Sequence, residues 1–279
     1  MVDVGRELRA TGLDVASLTD LRRWLPPIRP VLASCHVLML FTAGRGRHGI
    51  DFVDHECRPS TLLWARPGQV HQFAAQPTLD ATVLLFGNDL LPPPSGALGT
   101  LLDDPYAPPG WLPTGEDEEA IITEVTQLAT DRERYAAGEP VPVQLLRHQL
   151  AVLLVRVAAL HRPGRPTSAL LNRFHREIDA TCNESRRVED YAARLGVSVR
   201  TLTRACLLAT GESAKQVVDA RVALAAKRLL ACTDAPVAAI GRQLGFTEPT
   251  NFGRFFVRET GRTPGEFRAA FTPAADRAG

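Results

Sequence analysis

The chain has 279 residues, 45% of them hydrophobic and 23% charged, which suits two soluble domains with cores of their own. No apolar run approaches the ~18 residues of a membrane span, and the charged opening MVDVGRELRATGLDV lacks the apolar stretch of a secretory signal. Five scattered cysteines (Cys35, Cys57, Cys182, Cys206 and Cys232) without C-x-x-C spacing point to reduced thiols in a cytoplasm, not a disulfide framework.

A net charge of +1 hides an asymmetry. Residues 168–279 carry 17 Lys and Arg against 12 Asp and Glu, whereas residues 1–167 carry 15 against 19. A basic half joined to an acidic half assigns any polyanionic partner to the C-terminal part. Arg abundance by itself is weak evidence, because 30 of the 32 basic residues are Arg and only Lys215 and Lys227 are Lys.

Residues 1–30 are polar, end in WLPPIRP and read as an irregular arm. From Val31 to about Phe86 the runs VLASCHVLMLF, HGIDFV, TLLWA, VHQFAA and TLDATVLLF are strand-length and punctuated by Gly, Pro or Asp, the pattern of an antiparallel barrel or sandwich. LPPPSGALGTLLDDPYAPPGWLPTG is too rich in Pro and Gly for a long element. Two helices are expected next. One runs from Glu116 to about Ala129 behind the acidic cluster EDEE, which favours a helix N-terminus. The other, 142–160, repeats Leu145, Leu146, Leu150, Leu153, Leu154 and Val157 at helical spacing. HRPGRPTS, 161–168, has linker composition and divides the chain into domains 1–165 and 166–279, the second helical to about Phe271.

The second domain repeats itself. LGVSVRTLTRACLLATGESAKQVV, from Leu195, and LGFTEPTNFGRFFVRETGRTPGEFR, from Leu244, match at an offset of 49 and then 50. In each copy an amphipathic helix (VEDYAARL; VAAIGRQL) reaches a Gly turn, and a second helix follows behind Ser198 or Thr247 as cap. This is the helix-turn-helix arrangement, whose second helix enters the DNA major groove. SAKQ and TPGE then read as capping boxes, with Pro264 at a first helical position. A connector over Ser213–Leu230 spans roughly 27 Å and would hold two reading heads about one DNA turn apart.

At these residues, and above all in APVAAIGRQLGFTEPTNFGRFFVRETGRTPGEFR, the chain resembles the AraC/XylS family of bacterial transcription regulators. The resemblance covers about Ser168 to Phe271. It implies an α+β protein: an N-terminal cupin-like antiparallel β-barrel with a following helix pair, then about seven helices holding two helix-turn-helix units. It also places base-reading side chains at Arg200, Thr203 and Arg204 in the first unit and at Thr250, Asn251 and Arg254 in the second. Arg to guanine and Asn to adenine are good bidentate pairs. Ser213, Lys215, Arg262 and Thr263 lie at helix starts that could grip phosphate. Thr203 and Thr250 read equally well as plain helix surface, and Leu207 and Leu208 as a patch for the sensor or as local core.

RPSTLLWARPGQVHQF, 58–73, is similar to a cupin motif, but His48, His55 and Glu56 are too loosely spaced for a metal set, so no cofactor is expected. A small-molecule pocket with His36, Phe41, His48, Trp64, Arg66 and His71 as wall candidates is the stronger reading, and ordinary barrel packing is its rival for each. The implied partners are promoter DNA, RNA polymerase, an unidentified effector and a second copy docked through helix 142–160. Two other readings stay open at this point: a metal-dependent cupin enzyme with a helical appendage, and a helical protein-interaction module.

Overall fold

The computed structural model describes residues 12–24, 30–72, 78–162 and 168–271. Most of the 161–168 linker, the first eleven residues of the arm, its PPIRP-side residues 25–29 and Phe73 lie outside the described residues. The chain divides into two compact units, Met1–Leu102 with Tyr106–Arg162, and Pro163–Gly279 with Asp103–Pro105.

The first unit contains β1 (Leu13–Ser17), α1 (Leu18–Trp24), β2 (Val31–Leu32), β3 (His36–Ala43), β4 (Gly46–Ile50), β5 (Val53–Cys57), β6 (Leu62–Ala65), β7 (Val70–Gln72), β8 (Asp80–Phe86), α2 (Gly96–Asp103), β9 (Gly110–Trp111), α3 (Glu116–Ala136) and α4 (Val143–Ala159). All ladders are antiparallel and form two sheets, β1-β8-β3-β6-β9 and β2-β7-β4-β5, facing each other without closing. The cupin-like barrel is thus an open sandwich.

β3 explains the layering. Its odd positions Val37, Met39 and Phe41 join Ile50, Cys57, Val83 and Leu85 in one core. Leu38 and Leu40 join Leu62, Trp64, Leu84 and Phe86 in another, against Ile121, Val125, Leu128, Leu150 and Leu153 of α3 and α4. Alternate side chains of a strand leave on opposite faces, so a strand covered on both sides reads as one continuous apolar run.

Three expectations change. The arm is not wholly irregular: Leu13–Ser17 pairs with β8, and Leu13, Leu18 and Leu21 are buried anchors. HGIDFV is not one strand but the β4–β5 hairpin turn, with Asp51 and Phe52 at φ 49° and 67°, as a two-residue type I′ loop requires. Bonds from Val70 N (3.0 Å) and Gln69 Nε2 (2.9 Å) to the Asp51 carboxylate hold that unusual turn against β7. The Glu116 helix runs on to Ala136, where Asp131 accepts from Gln127 and from Gln149 of α4, which holds its carboxyl below the ordinary range.

The second unit is α5 (Ala169–Thr181), α6 (Val188–Leu195), α7 (Val199–Thr210), α8 (Ala214–Cys232), α9 (Val237–Gln243), α10 (Pro249–Thr260) and α11 (Pro264–Ala269), the seven helices expected.

Candidate nucleic-acid interface

Two helix-turn-helix pairs, α6–α7 and α9–α10, flank the 19-residue connector α8. The turns hinge on Gly196 (φ 69°) and Gly245 (φ 74°), left-handed positions at which a side chain is strained. At Gly245 a Cβ would also lie 2.8 Å from the Asn183 carbonyl oxygen.

The two reading helices begin differently. Ser198 caps α7, its hydroxyl accepting from Thr201 N at 3.0 Å. Thr247 does not cap α10: the N-cap is Glu248, which makes no side-chain cap bond, and Pro249 starts the helix. Proline supplies a helical φ, lacks an N–H that would go unpaired there, and keeps the preceding residue extended. Both capping boxes form, Ser213 with Gln216 and Thr263 with Glu266.

Leu202 and Cys206 are buried on α7, as are Phe252, Phe255 and Phe256 on α10. That burial turns the other faces outward. Arg200, Arg204, Thr250, Asn251 and Arg254 are exposed, and Thr203 is half-buried. None of the three arginines has a carboxylate partner among the described residues, so their guanidinium forks are available. Thr250, Gly253, Arg254, Val257 and Arg258 line a shallow groove of about 550 Å³ along α10.

The phosphate candidates fare unevenly. Arg262 is exposed. The hydroxyls of Ser213 and Thr263 donate at 2.8 Å to Gln216 and Glu266 within their own boxes. Lys215 is ion-paired with Asp219, one helical turn on. Leu207 and Leu208 are 50% and 73% exposed, so they are not local core.

In the first unit the six wall candidates part into two groups. Phe41, His48 and His71 lie together between the sheets, with ring centroids 6.3 Å (Phe41–His48) and 5.9 Å (His48–His71) apart. Burial lowers the His71 pKa to about 4 and that of His48 well below its ordinary value, so both rings are neutral. His36, Trp64 and Arg66 are turned the other way, toward the helix layer, because strand alternation puts them there. Trp64 Nε1 donates to His36 Nδ1 (3.1 Å), His36 Nε2 meets Asn88 Oδ1 (2.8 Å), and Arg66 Nη2 donates to the Leu101 carbonyl (3.1 Å). A separate cavity of about 770 Å³ opens between the edge strands β5 and β9, and none of the six lines it. Among the described residues no three His, Cys, Asp or Glu side chains could jointly hold a metal ion.

Residues 191–270 match the family model described as a helix-turn-helix domain, and residues 33–113 match the AraC-like ligand binding domain. The chain is 25% identical over 252 residues to the arabinose operon regulatory protein of Salmonella typhimurium, covering 86% of each. It is 30% identical over 135 residues to the ornithine utilization regulator of Pseudomonas aeruginosa, covering 48% of this chain and 38% of that one. Among solved structures it is similar to ToxT from Vibrio cholerae, at 12% identity and a TM-score of 0.48, over 94% of this chain and 98% of that one.

The chain belongs to the AraC/XylS family. It is a DNA-binding transcription regulator with an N-terminal ligand-binding domain.

Sequence reading missed how the second helix-turn-helix pair is fixed to the rest of its unit. Asp219, buried in the N-terminal part of α8, takes Arg258 Nη2 of α10 at 3.0 Å as well as Lys215. Arg186 lies 3.5 Å from the Phe246 ring centroid, with its Nη2 3.4 Å from the Gly245 carbonyl. The available signal was one acidic residue in the otherwise apolar and basic VVDARVALAAKRLL stretch of the connector, but its partner is 39 residues away.

Proposed function

We propose that this regulator reads successive major grooves with Arg200, Thr203 and Arg204 of α7 and Thr250, Asn251 and Arg254 of α10. The supporting observation is that two duplicated helices expose arginines that no carboxylate of the described residues neutralises. Nineteen residues of α8 amount to about 28 Å, close to the roughly 34 Å that separates successive grooves once the flanking turns are added. Arg262 is the phosphate contact with a free side chain. At Ser213 and Thr263 the hydroxyls already serve capping, so those positions would offer backbone N–H groups, and Lys215 would have to leave Asp219 to reach a phosphate.

The regulator works without catalysis, in the cytoplasm, on promoter DNA and beside RNA polymerase, as a homodimer. α4 supports the dimer reading. Its Leu146, Leu150, Leu153, Leu154 and Val157 face the sensor core, while Leu145, Val152 and Val155 are exposed on its other side. An effector bound in the first unit acts by favouring one arrangement of dimer and DNA heads, which demands unequal affinity for the two.

Selection of bound DNA from a random pool, repeated for Arg204→Ala and Arg254→Ala, tests the contacts. Each variant should relax preference at one base position by a factor of roughly 5–150. Uniform losses on every sequence would refute the assignment.

A further inference from the structure

The cavity between β5 and β9 is where the sandwich fails to close: β5 ends one sheet and β9 ends the other. Its size, about 770 Å³, falls in the range of small-molecule sites. Its walls combine apolar and cationic groups. Leu63, Trp111 and Leu112 supply the apolar part, Arg45, Arg47 and Arg58 the positive charge, and Glu56 a single carboxylate.

The β4–β5 register shows which of these charges is left over. Arg47 stands opposite Glu56 in the ladder and has Asp54 of β5 as an ion-pair partner at 3.9 Å. The last ladder pair in that direction is Gly46 with Cys57, and the next step brings Arg45 and Arg58 to the same end of the hairpin. No carboxylate of the described residues pairs with either arginine. Two further groups at the wall are unsatisfied: Trp111 Nε1 and His55 Nε2 are buried without a hydrogen-bond partner among the described residues. Native structures seldom leave such atoms unpaired, and each one costs stability until something bonds it.

We propose that this edge cleft binds a small organic anion, a carboxylate carried on an apolar body, with Arg45 and Arg58 holding the carboxylate and Trp111, Leu63 and Leu112 covering the body. The guanidinium fork matches a carboxylate in shape and charge. The site is distinct from the space between the sheets, where Phe41, His48 and His71 are neutral and packed together. The proposal rests on reading the first unit as the effector sensor.

The test uses the full chain and three probe acids, benzoate, 1-naphthoate and octanoate, each titrated beside its neutral amide and beside inorganic phosphate, with binding followed by calorimetry and ligand-observed NMR. At least one acid should bind about tenfold or more tightly than its amide. In Arg45→Gln/Arg58→Gln that ratio should fall toward one, with amide binding and DNA binding retained. Both arginines are exposed, so folding should survive the exchange. Acids that bind no better than their amides, or a ratio that persists in the double variant, would overturn the cleft assignment. Phosphate binding as tightly as the best acid would overturn the apolar body. DNA affinity is measured alongside with each acid. Acid binding that leaves DNA affinity unchanged upholds the cleft and counts against the effector reading, whereas a DNA response to the acids that survives in the double variant counts against the cleft.

Discussion

The two helix-turn-helix copies solve one packing problem with different residues. Where the second copy has Gly241 and Phe252, the first has Ala192 and Leu202 at the matched offsets, and where the second has Phe256 the first has Cys206. All six are buried. A Cβ on Gly241 would lie 3.1 Å from the Phe252 ring, so the larger side chain on one helix is accommodated by the smaller residue on its neighbour. The second copy is thus built on aromatic contacts, Phe246–Phe252 at 5.2 Å, Phe252–Phe256 at 6.0 Å and Phe256–Phe267 at 5.5 Å. It is also tied to α8 by Arg258–Asp219, while the matched position of the first copy is the exposed Leu208. The duplication kept the geometry of the turn and let core and anchor diverge.

Deleting the aromatic core should hurt most. Phe252→Ala removes a fully buried ring and should cost about 3–5 kcal/mol, read from urea unfolding. Leu202→Ala, its counterpart, should cost less, because the first copy has no comparable chain of rings for the cavity to loosen. Equal losses would mean that the aromatic contacts add nothing beyond volume. Next in size come the proposed base contacts. Arg254→Ala and Arg204→Ala should each lower discrimination at one base by about 1–3 kcal/mol while leaving the melting temperature nearly unchanged, since both side chains are exposed and have no carboxylate partner among the described residues. A large drop in melting temperature would reassign either one to structure.

A smaller effect sharpens the packing argument. Gly241→Ala gains helix propensity but crowds Phe252, and the net should be a loss of about 1 kcal/mol. Phe252→Leu alone leaves a void. Together they recreate the Ala–Leu pair of the first copy, so the double variant should be more stable than the sum of the singles, by an amount a double-mutant cycle measures. Strict additivity would break the claim that the two positions compensate.

How much of this the sequence discloses depends on how local each feature is. Capping boxes, Gly turns, the helix-turn-helix pairs and the strand-length runs of the antiparallel sheets are set by residues three to seven apart, and those were legible. The helix cap on α10 was misread because Thr247 and Glu248-Pro249 both signal a start, and the constraint from proline wins. The side of β3 and β6 that His36 and Trp64 face was not legible, since a strand buried on both faces shows no alternation. Neither was the Asp219–Arg258 bond, which joins two helices through the tertiary fold. That Arg45 and Arg58 line one cleft escaped for a related reason: it follows only once the HGIDFV run is folded back into a hairpin.

The smallest difference between the copies is electrostatic. The box that opens α8 uses the amide of Gln216, whereas the box that opens α11 uses the carboxylate of Glu266, which accepts from Thr263 N at 2.8 Å. That bond from the backbone N–H, with the Thr263 hydroxyl second, lowers the Glu266 pKa in the folded state. A carboxyl whose folded pKa is depressed contributes its stability above the unfolded value and loses it as pH falls through the folded one. Acidification through the carboxylate range should therefore loosen the start of α11 while that of α8, which has no proton to gain at Gln216, stays closed. Amide exchange at Thr263 and Glu266 compared with Ser213 and Gln216 measures this directly, and Glu266→Gln should remove the difference. If the two helix starts open together as pH falls, or if the Gln variant keeps the pH dependence, the acid sensitivity belongs to the domain as a whole and not to this cap.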